Sequence, residues 1–496
     1  MERESRERRT PTTPRRRRRR RPLPPSQQVA IEGCCHGDLD RIYETVTAIQ
    51  AADGRRVDLL LICGDFQAVR NADDLLCLAC PPKYRALKNF HKYYSGAAVA
   101  PVPTVFIGGN HEASNHLAEL ALGGWAAPSI FYLGDAGVVT FGGLRIAGLS
   151  GIYNERHYRA GRYERPPYDA STIRSAYHVR ALDVHRLARL TGPIDIFLSH
   201  DWPAGIAGHG DRESLLRRKP FLAREVADGS LGSPPAAGLL ASLRPAHWFA
   251  AHMHTKFAAV VPHPASGGAR GDGRAPVTRF LALDKCLPGR PFLQVLDIEP
   301  AGGVPAGPLR LAHDAQWLAI LAETHALHST SPRPPPLPAD APPPAQATVD
   351  RVVAAVTAAR GSLDVPPNFQ VTAAPPPPGA DPAGRGGRMP EARRSPQTVE
   401  LLRVLGLEYN LDAAAGGGRG GGVGGGGDHH HRHHHAEPPR AATAVDAIVA
   451  AAARVAALGV VVPPGGAAGD GGGGDAAPGD AAPPTVDPNA IDLDDI

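Results

Sequence analysis

Five short apolar runs of this chain each end in polar residues that can bind metal ions or transfer protons. In chain order these residues are Cys34 and His36, Asp65, Asn110 and His111, His200, and His252 and His254. Imidazole nitrogens, carboxylate and amide oxygens and thiolates are ligands of divalent metals. The set matches a hydrolytic centre in which two divalent ions, about 3.5–4 Å apart, activate a water molecule. The residue types therefore predict a two-metal hydrolytic site.

The neighbours of these residues favour close approach to a shared site. Gly64 precedes Asp65, and two glycines precede Asn110, so both loops can turn tightly and bring backbone near a ligand. His252 and His254 are two residues apart, and at the end of a strand both can reach one metal. A lone buried histidine is more often a core residue than a ligand, but five such clusters after five strands argue against that interpretation.

The apolar runs have the length and the β-branched or aromatic content of strands. They cover residues 29–31, 57–62, 104–107, 144–149, 194–198 and 247–250. Helical stretches are expected at 39–52 and 171–190, the second opening with Ser171 as its cap. Alternating strands and helices favour a layered α/β domain. Because sites in such domains form beyond the carboxyl ends of strands, the five polar loops are expected at one rim.

Composition divides the 496 residues unevenly, because all six cysteines lie before residue 287 and the last third is rich in Gly, Ala and Pro. We expect a disordered basic arm at 1–27, a catalytic domain at 28–325, a Pro-rich linker with further folded segments at 326–411, and a disordered low-complexity tail at 412–496. Within the linker, helices are expected at 349–359 and from Thr398. The His tract at 429–435 is interpreted as low-complexity expansion, with metal binding as the alternative.

Charge and cysteine usage indicate where the protein acts. Residues 15–21 are all arginine, which predicts either a solvated arm or a nuclear address and nucleic-acid tether. No apolar run is long enough to span a membrane, and the N-terminus lacks a secretory signal. Six cysteines in this length do not form a disulfide framework, and a zinc site at Cys77 and Cys80 is disfavoured because a second pair is missing. We expect a monomer in the nucleus, without membrane contact.

The order of the motifs resembles the calcineurin-like metallophosphoesterases. The matching motifs are Cys34-x-His36, Gly64-Asp65, Gly109-Asn110-His111-Glu112, His200 and His252-x-His254. Two positions depart from the usual pattern, since Cys34 replaces an aspartate and Ala251 replaces a glycine. A cysteine in the first motif is a mark of the RNA lariat debranching enzymes, and the similarity to that family covers residues 29–320 and, weakly, 368–373 and 395–411. The resemblance implies a four-layer α/β/β/α sandwich with a small C-terminal extension.

The resemblance also implies roles for the polar residues. One metal would be bound by His36, Asp65 and His254 with Cys34 as ligand or near-ligand, and the other by Asp65, Asn110, His200 and His252. Asp65 would bridge the two ions, and His111 would act on the scissile phosphate or leaving group. Glu112 and Asp201 would orient imidazoles. Because a thiolate is softer than a carboxylate, the expected cofactors are Fe²⁺ and Zn²⁺, or Mn²⁺.

The reaction that the family resemblance implies is hydrolysis of the 2′–5′ phosphodiester at the branch point of excised intron lariats by a metal-bridging hydroxide. Branched RNA is then the partner, and the tail is a candidate contact for splicing factors. The predicted substrate loop, about 150–168, interleaves aromatic side chains that stack on bases with arginines that contact phosphates. Its candidate residues are Tyr153, His157, Tyr158, Arg159, Tyr163 and Tyr168.

Three other functions fit the sequence less well. A protein phosphatase of the same superfamily would carry an aspartate three residues after Asp65, where this chain has Ala68. A nuclease acting on DNA ends would lack the first-motif cysteine and the Tyr/Arg loop. An RNA-binding scaffold with a relict site would have lost ligands, whereas every ligand position except the altered Cys34 holds a competent residue.

Overall fold

The computed structural model of the protein describes residues 26–264, 276–377, 379–381, 383 and 385–412. The arginine run at 15–21, the His tract and the tail beyond residue 412 lie outside the described residues. The first strand begins at Gln27, one residue before the predicted start of the domain. No helix in the described part of the chain is long and apolar enough to cross a membrane.

The strands of the described residues form two mixed sheets. Their bounds are β1 Gln27–Glu32, β2 Leu59–Ile62, β3 Thr104–Phe106, β4 Gly124–Ala127, β5 Ile130–Tyr132, β6 Ala136–Phe141, β7 Leu144–Leu149, β8 Ile196–Ser199, β9 His247–Ala250, β10 Phe257–Pro262, β11 Val277–Ala282, β12 Leu293–Ile298 and β13 Leu311–His313. The six-stranded sheet has the order β12-β1-β2-β3-β5-β4, and the seven-stranded sheet has the order β10-β11-β9-β8-β7-β6-β13. The strands that end in predicted ligands, β1–β2–β3 and β8–β9, run parallel within their sheets.

Helices cover the outer faces of both sheets. Their bounds are α1 Leu39–Asp53, α2 Ala72–Leu75, α3 Phe90–Tyr94, α4 Ser114–Glu119, α5 Glu155–Tyr158, α6 Thr172–Ser175, α7 Ala181–Ala188, α8 Arg212–Arg218, α9 Ala223–Asp228, α10 Pro234–Leu243, α11 Ala315–Thr324, α12 Gln346–Arg360 and α13 Pro396–Leu405, with short 3₁₀ turns at Pro82–Tyr84, Ile206–His209, Pro220–Leu222 and His325–Leu327. The predicted helix at 171–190 is interrupted. His178 pairs with Ile152 instead, and the Val179 N–H donates to the Ile152 carbonyl at 2.9 Å.

Alternation along the strands explains the layers. In β1, Val29 and Ile31 point into the core between the sheets, whereas Ala30 points outward to the layer that contains α1. Ile196 and Leu198 of β8 meet that central core from the other sheet. A third core, beyond the seven-stranded sheet, packs α7 and α10. The predicted α/β/β/α sandwich is therefore confirmed.

Residues 326–411 pack onto the domain. Leu318 of α11, Val352 and Val356 of α12, and Leu401 and Leu405 of α13 form one buried cluster. Both helices expected in this segment are present, as α12 and α13. The apolar faces of these helices hold the segment against the domain, although its Pro-rich composition suggested a linker.

Arg70 ties the C-terminal segment to the domain. Its guanidinium is 1% exposed and forms ion pairs of 2.8 Å with both Asp74 and Glu119. The same group donates to the Thr372 hydroxyl at 2.8 Å, so a residue of the C-terminal segment completes a buried cluster of the catalytic domain.

Replacing Arg70 with methionine is expected to lower the free energy of unfolding by about 3–5 kcal/mol, because two carboxylates would stay buried without their counter-charge. Denaturant titration measures this change. Lys92→Met is the matched control, since it removes a partly exposed ion pair with Asp40, and pairs of that kind contribute about 1 kcal/mol or less. Equal losses in the two variants would contradict the prediction.

Candidate metal centre

Loops from both sheets converge on one site. Cys34 and His36 follow β1, Asp65 follows β2, and Asn110 follows β3, all in the six-stranded sheet. His200 follows β8, and His252 and His254 follow β9, in the seven-stranded sheet. The carboxyl ends of the parallel strands in the two sheets meet at the same edge of the sandwich. The site is therefore built between two sheets.

Asp65 lies at the centre of the site. Its Oδ1 is 3.3 Å from His200 Nε2, and its Oδ2 is 3.7 Å from His36 Nε2. The backbone N–H of His111 donates to Oδ1 at 2.8 Å. Burial raises the pKa of Asp65, but the charges of His200 and His111 outweigh it and hold the pKa well below its usual value. An ionised carboxylate between two imidazoles is placed to bridge two cations.

One group of ligand atoms comprises Cys34, His36, Asp65 and His254, whose donor atoms all lie within 4.8 Å of one another. The Nε2 atoms of His36 and His254 face each other at 3.3 Å. Burial lowers the pKa of His36 to about 3 and that of His254 to about 2, so both imidazoles are neutral at pH 7. Two neutral imidazole nitrogens directed at each other beside a thiol and a carboxylate suit a shared divalent cation.

A second group comprises Asn110, His200 and His252 around the other oxygen of Asp65. His200 Nδ1 donates to the Cys63 carbonyl at 2.7 Å, which directs Nε2 at the Asn110 amide oxygen, 3.2 Å away. Burial disfavours protonation of His200, but the charge of Asp65 outweighs it and raises the pKa. Asp65 Oδ1 and Asn110 Oδ1 both lie close to His200 Nε2. A divalent cation therefore fits here in place of the proton.

His252 adds an independent indication that this group binds a cation. Its ring centroid is 5.0 Å from that of His200. Its Nδ1 is buried and has no hydrogen-bond partner among the described residues. A buried imidazole nitrogen without a partner is costly unless a ligand satisfies it. The donor set of the whole site thus fits divalent metal ions.

The backbone of the ligand loops is strained. His36, Asp65, His252 and His254 have φ values of 46°, 47°, 65° and 45°, in the left-handed region that most side chains avoid. Strain of this kind persists where the surrounding structure imposes it, often at functional sites. It turns the four side chains inward immediately after their strands.

Two glycines are required for the loops to meet. A Cβ on Gly64 would lie 2.3 Å from His200 Nδ1, and a Cβ on Gly109 would lie 2.2 Å from Asp65 Oδ1. Larger residues would push Asp65 away from His200 and Asn110. The close approach predicted from the Gly-Asp and Gly-Gly-Asn patterns is therefore confirmed.

His111 stands apart from the ligands. Its side chain is partly exposed, as is that of His36, whereas Asp65, Asn110, His200, His252 and His254 are buried. Its ring centroid lies 5.5 Å from that of His36. The ring therefore lies beside the metal group and within reach of solvent, as a residue acting on substrate must.

Glu112 and Asp201 do not orient imidazoles, so that prediction was wrong for both. Glu112 Oε1 accepts the Phe66 and Gly109 N–H groups at 2.7 and 2.9 Å, and Oε2 accepts the Gln67 N–H at 2.8 Å. Glu112 thereby fastens the Asp65 loop to the Asn110 loop, and burial raises its pKa to about 8.

Asp201 accepts backbone N–H groups of Tyr153 and Trp202. It therefore links the His200 loop to the beginning of the predicted substrate loop. The imidazole of His200 is held instead by the Cys63 carbonyl, and Gln67 Nε2 lies 3.4 Å from His36 Nδ1. The local pattern could not show these partners, because a backbone carbonyl and a side-chain amide of the loop around Asp65 supply them.

One candidate residue of the predicted substrate loop has a side chain that RNA cannot reach. Tyr158 is 4% exposed and belongs to the core beyond the seven-stranded sheet, with its ring 5.5 Å from that of Tyr153. Its prediction as a substrate-binding residue was therefore wrong. His157 stacks on His178, with 2.7 Å between their Nδ1 atoms, and Tyr163 shares a 3.2 Å hydrogen bond with Ser175.

Two cavities adjoin the same loop. One is lined by Gly109, Tyr168, Tyr177 and Arg393, so it lies against the Asn110 loop. The other, of about 890 Å³, is lined by arginines of the loop together with the Pro-rich segment at 332–337. Arg159 is exposed and lines this second cavity.

Sequence reasoning missed Lys285, which lies in the loop after β11. It forms a parallel bridge with Cys34, next to the first ligand group. The pattern that indicated the other site residues also applies here, because Asp284 and Lys285 are polar residues that directly follow an apolar, strand-forming run.

The layered fold and the clustered ligands define a metallophosphoesterase. Comparison with protein families agrees, since the calcineurin-like phosphoesterase family matches residues 28–256. A second family, described as lariat debranching enzyme, C-terminal domain, matches residues 275–410. This second match begins well before residue 326, where the linker was predicted to start.

Individual relatives are similar over most of the chain. The chain is 50% identical over 392 residues to a lariat debranching enzyme of Arabidopsis thaliana, covering 78% of this chain and 88% of the relative. The identity to the lariat debranching enzyme of Homo sapiens is 49% over 385 residues, covering 77% and 69%. The Drosophila melanogaster lariat debranching enzyme is 45% identical over 426 residues, covering 77% and 78%. The chain belongs to the lariat debranching enzyme family.

Proposed function

We propose that the protein hydrolyses the 2′–5′ phosphodiester bond at the branch point of lariat RNA. The observation that carries this proposal is the ligand group in which the Cys34 thiol lies with His36, Asp65 and His254. The thiol occupies the position where most metallophosphoesterases of this kind carry an aspartate, and it accompanies membership of the debranching family.

The residues that would hold two divalent ions are those of the two groups around Asp65. Cys34, His36 and His254 with Asp65 would hold one, and Asn110, His200 and His252 with Asp65 would hold the other. When bound, such ions supply a water activated near pH 7 and offset phosphate charge. The thiol favours Zn²⁺ or Fe²⁺ over harder ions, and Mn²⁺ is the alternative.

His111 would act on the substrate. Its backbone N–H is held by Asp65, which sets the position of its partly exposed ring beside His36. From there the imidazole can donate a hydrogen bond to a phosphate oxygen or a proton to the leaving 2′ oxygen. A ring that also ligated metal could not perform this transfer.

The substrate loop would bind the RNA around the branch. Tyr153, His157, Arg159, Tyr163 and Tyr168 remain candidates, and Tyr158 is withdrawn because it is buried. Arg156 and Arg159 line the larger cavity together with Arg333, so a phosphate backbone could lie along them. Aromatic side chains near Asn110, such as Tyr168, are suited to stack on an unpaired base.

Purified protein assayed on a branched RNA and on a linear RNA of the same sequence tests the proposal. Release of the 2′-linked strand from the branched RNA, with the linear RNA left intact, is the expected result. The Asp65→Ala variant controls for contaminating nuclease. Equal cleavage of both RNAs, or of neither after metal loading, would rule out debranching.

Nuclear localisation, a monomeric state and contact of the tail with splicing factors stay predictions from the sequence. The arginine run at 15–21, which motivates the nuclear address, lies outside the described residues.

A further inference from the structure

Lys285 lies directly beside a predicted metal ligand. The Cys34 N–H donates to the Asp284 carbonyl at 3.4 Å, and the Cys286 N–H donates to the Cys34 carbonyl at 3.2 Å. These bonds make the parallel bridge between Cys34 and Lys285. Residues paired across neighbouring strands present their side chains to the same face, so the Lys285 side chain leaves the backbone on the side of the Cys34 thiol.

The next residue on each strand confirms this orientation. Cys35 and Cys286 both lie in the outer core, between the six-stranded sheet and its helices. Cys34 lies instead in the core between the sheets. Because side chains alternate along a strand, Lys285 faces away from the outer core and toward the metal centre.

The Lys285 side chain is largely buried, and its ammonium forms no ion pair among the described residues. The residue is 7% exposed, and among the described residues no carboxylate lies within ion-pair distance of it. The neighbouring Asp284 carboxylate accepts the Lys285 backbone N–H at 2.8 Å and pairs with Arg290 at 3.4 Å. An ammonium that has no ion-pair partner beside a buried site can bind an anionic group of a substrate.

The charge of Lys285 acts on two residues of the first ligand group. Burial is the main cause of the low pKa of both His36 and His254, and the charge of Lys285 lowers each further. In turn, burial and the charge of Arg290 lower the pKa of Lys285, and the charges of Asp284 and Cys34 raise it. Lys219 also acts on Lys285, so the positive potential extends outward from the site.

We propose that Lys285 binds a non-bridging phosphate oxygen of the RNA at the Cys34–His36–His254 side of the metal centre. This inference rests on the proposed function, because RNA supplies the anion. A phosphodiester carries one negative charge and can therefore serve as the counter-ion of the ammonium. An ammonium on a flexible stem binds phosphate as a point charge and does not compete for the metals.

Lys285→Met tests the inference, with Lys285→Arg as the charge-retaining variant and Lys92→Met as the remote control. Binding of a branched RNA that carries an uncleavable linkage is measured by fluorescence anisotropy at several salt concentrations, alongside kcat and KM. We expect Lys285→Met to weaken binding about 10- to 100-fold, as loss of a charged hydrogen bond does. The slope of the logarithm of the binding constant against the logarithm of the salt concentration should fall by about the amount expected for one phosphate contact. Lys285→Arg should restore most of the binding.

Two further measurements separate this role from a structural one. Metal content and the unfolding temperature should both stay at the wild-type level, because the substitution removes no ion pair within the described residues. Lower stability, lost metal or unchanged RNA binding in Lys285→Met would each overturn the inference. If the wild-type protein cleaves branched RNA while Lys285→Met binds it equally well, only this inference fails. If the wild type does not cleave branched RNA, the proposed function itself fails.

Discussion

Replacing His111 with alanine is expected to reduce kcat on branched RNA by about 100- to 10,000-fold while leaving the metal content unchanged. The ring is partly exposed beside His36, and only its backbone N–H contacts Asp65. Removing the imidazole therefore removes a proton donor or phosphate contact without disturbing the ligand positions. Elemental analysis together with single-turnover kinetics measures both quantities on the same preparation.

His209→Ala is the matched control for this experiment, because His209 is exposed on a 3₁₀ turn and belongs to neither ligand group. Its activity should equal that of the wild type. Loss of metal from His111→Ala would show that His111 is a ligand and would refute its assignment to the substrate.

Replacing Asp65 with alanine is expected to remove both metal ions and to lower activity by at least about 1,000-fold. One carboxylate oxygen lies near His36 of the first ligand group and the other near His200 of the second. Both sites thus lose an anionic ligand at once. Metal analysis should show less than one ion per chain, and added Mn²⁺ should restore little activity.

Asp53→Asn is the control for the loss of one carboxylate, since Asp53 is exposed at the end of α1. Cys34→Ala provides the contrast, because Cys34 belongs only to the first group, so one ion should remain bound. Retention of two ions by Asp65→Ala would show that the carboxylate does not bridge.

Local sequence patterns predicted correctly those strands whose apolar residues follow one another along the chain. β7 and β9 have the expected bounds, because each ends in a run of buried residues that is followed by a polar loop. The helix expected at 171–190 failed because His178 pairs with Ile152, a contact that helical spacing cannot show. Interleaved Tyr and Arg likewise could not reveal that Tyr158 faces the core.

The sequence by itself indicated the side chains that the structure brings together around Asp65. Each ligand directly follows a strand, and glycines at 64 and 109 permit the close approach that the site requires, so residue type and local position sufficed. Tertiary structure alone decided how Glu112 ties two loops together, how residues 326–411 pack and where Lys285 lies. These outcomes depend on how segments far apart in the chain pair with each other, such as the end of β1 and the loop after β11. The residues near each segment in the sequence do not show which distant segment it will pack against.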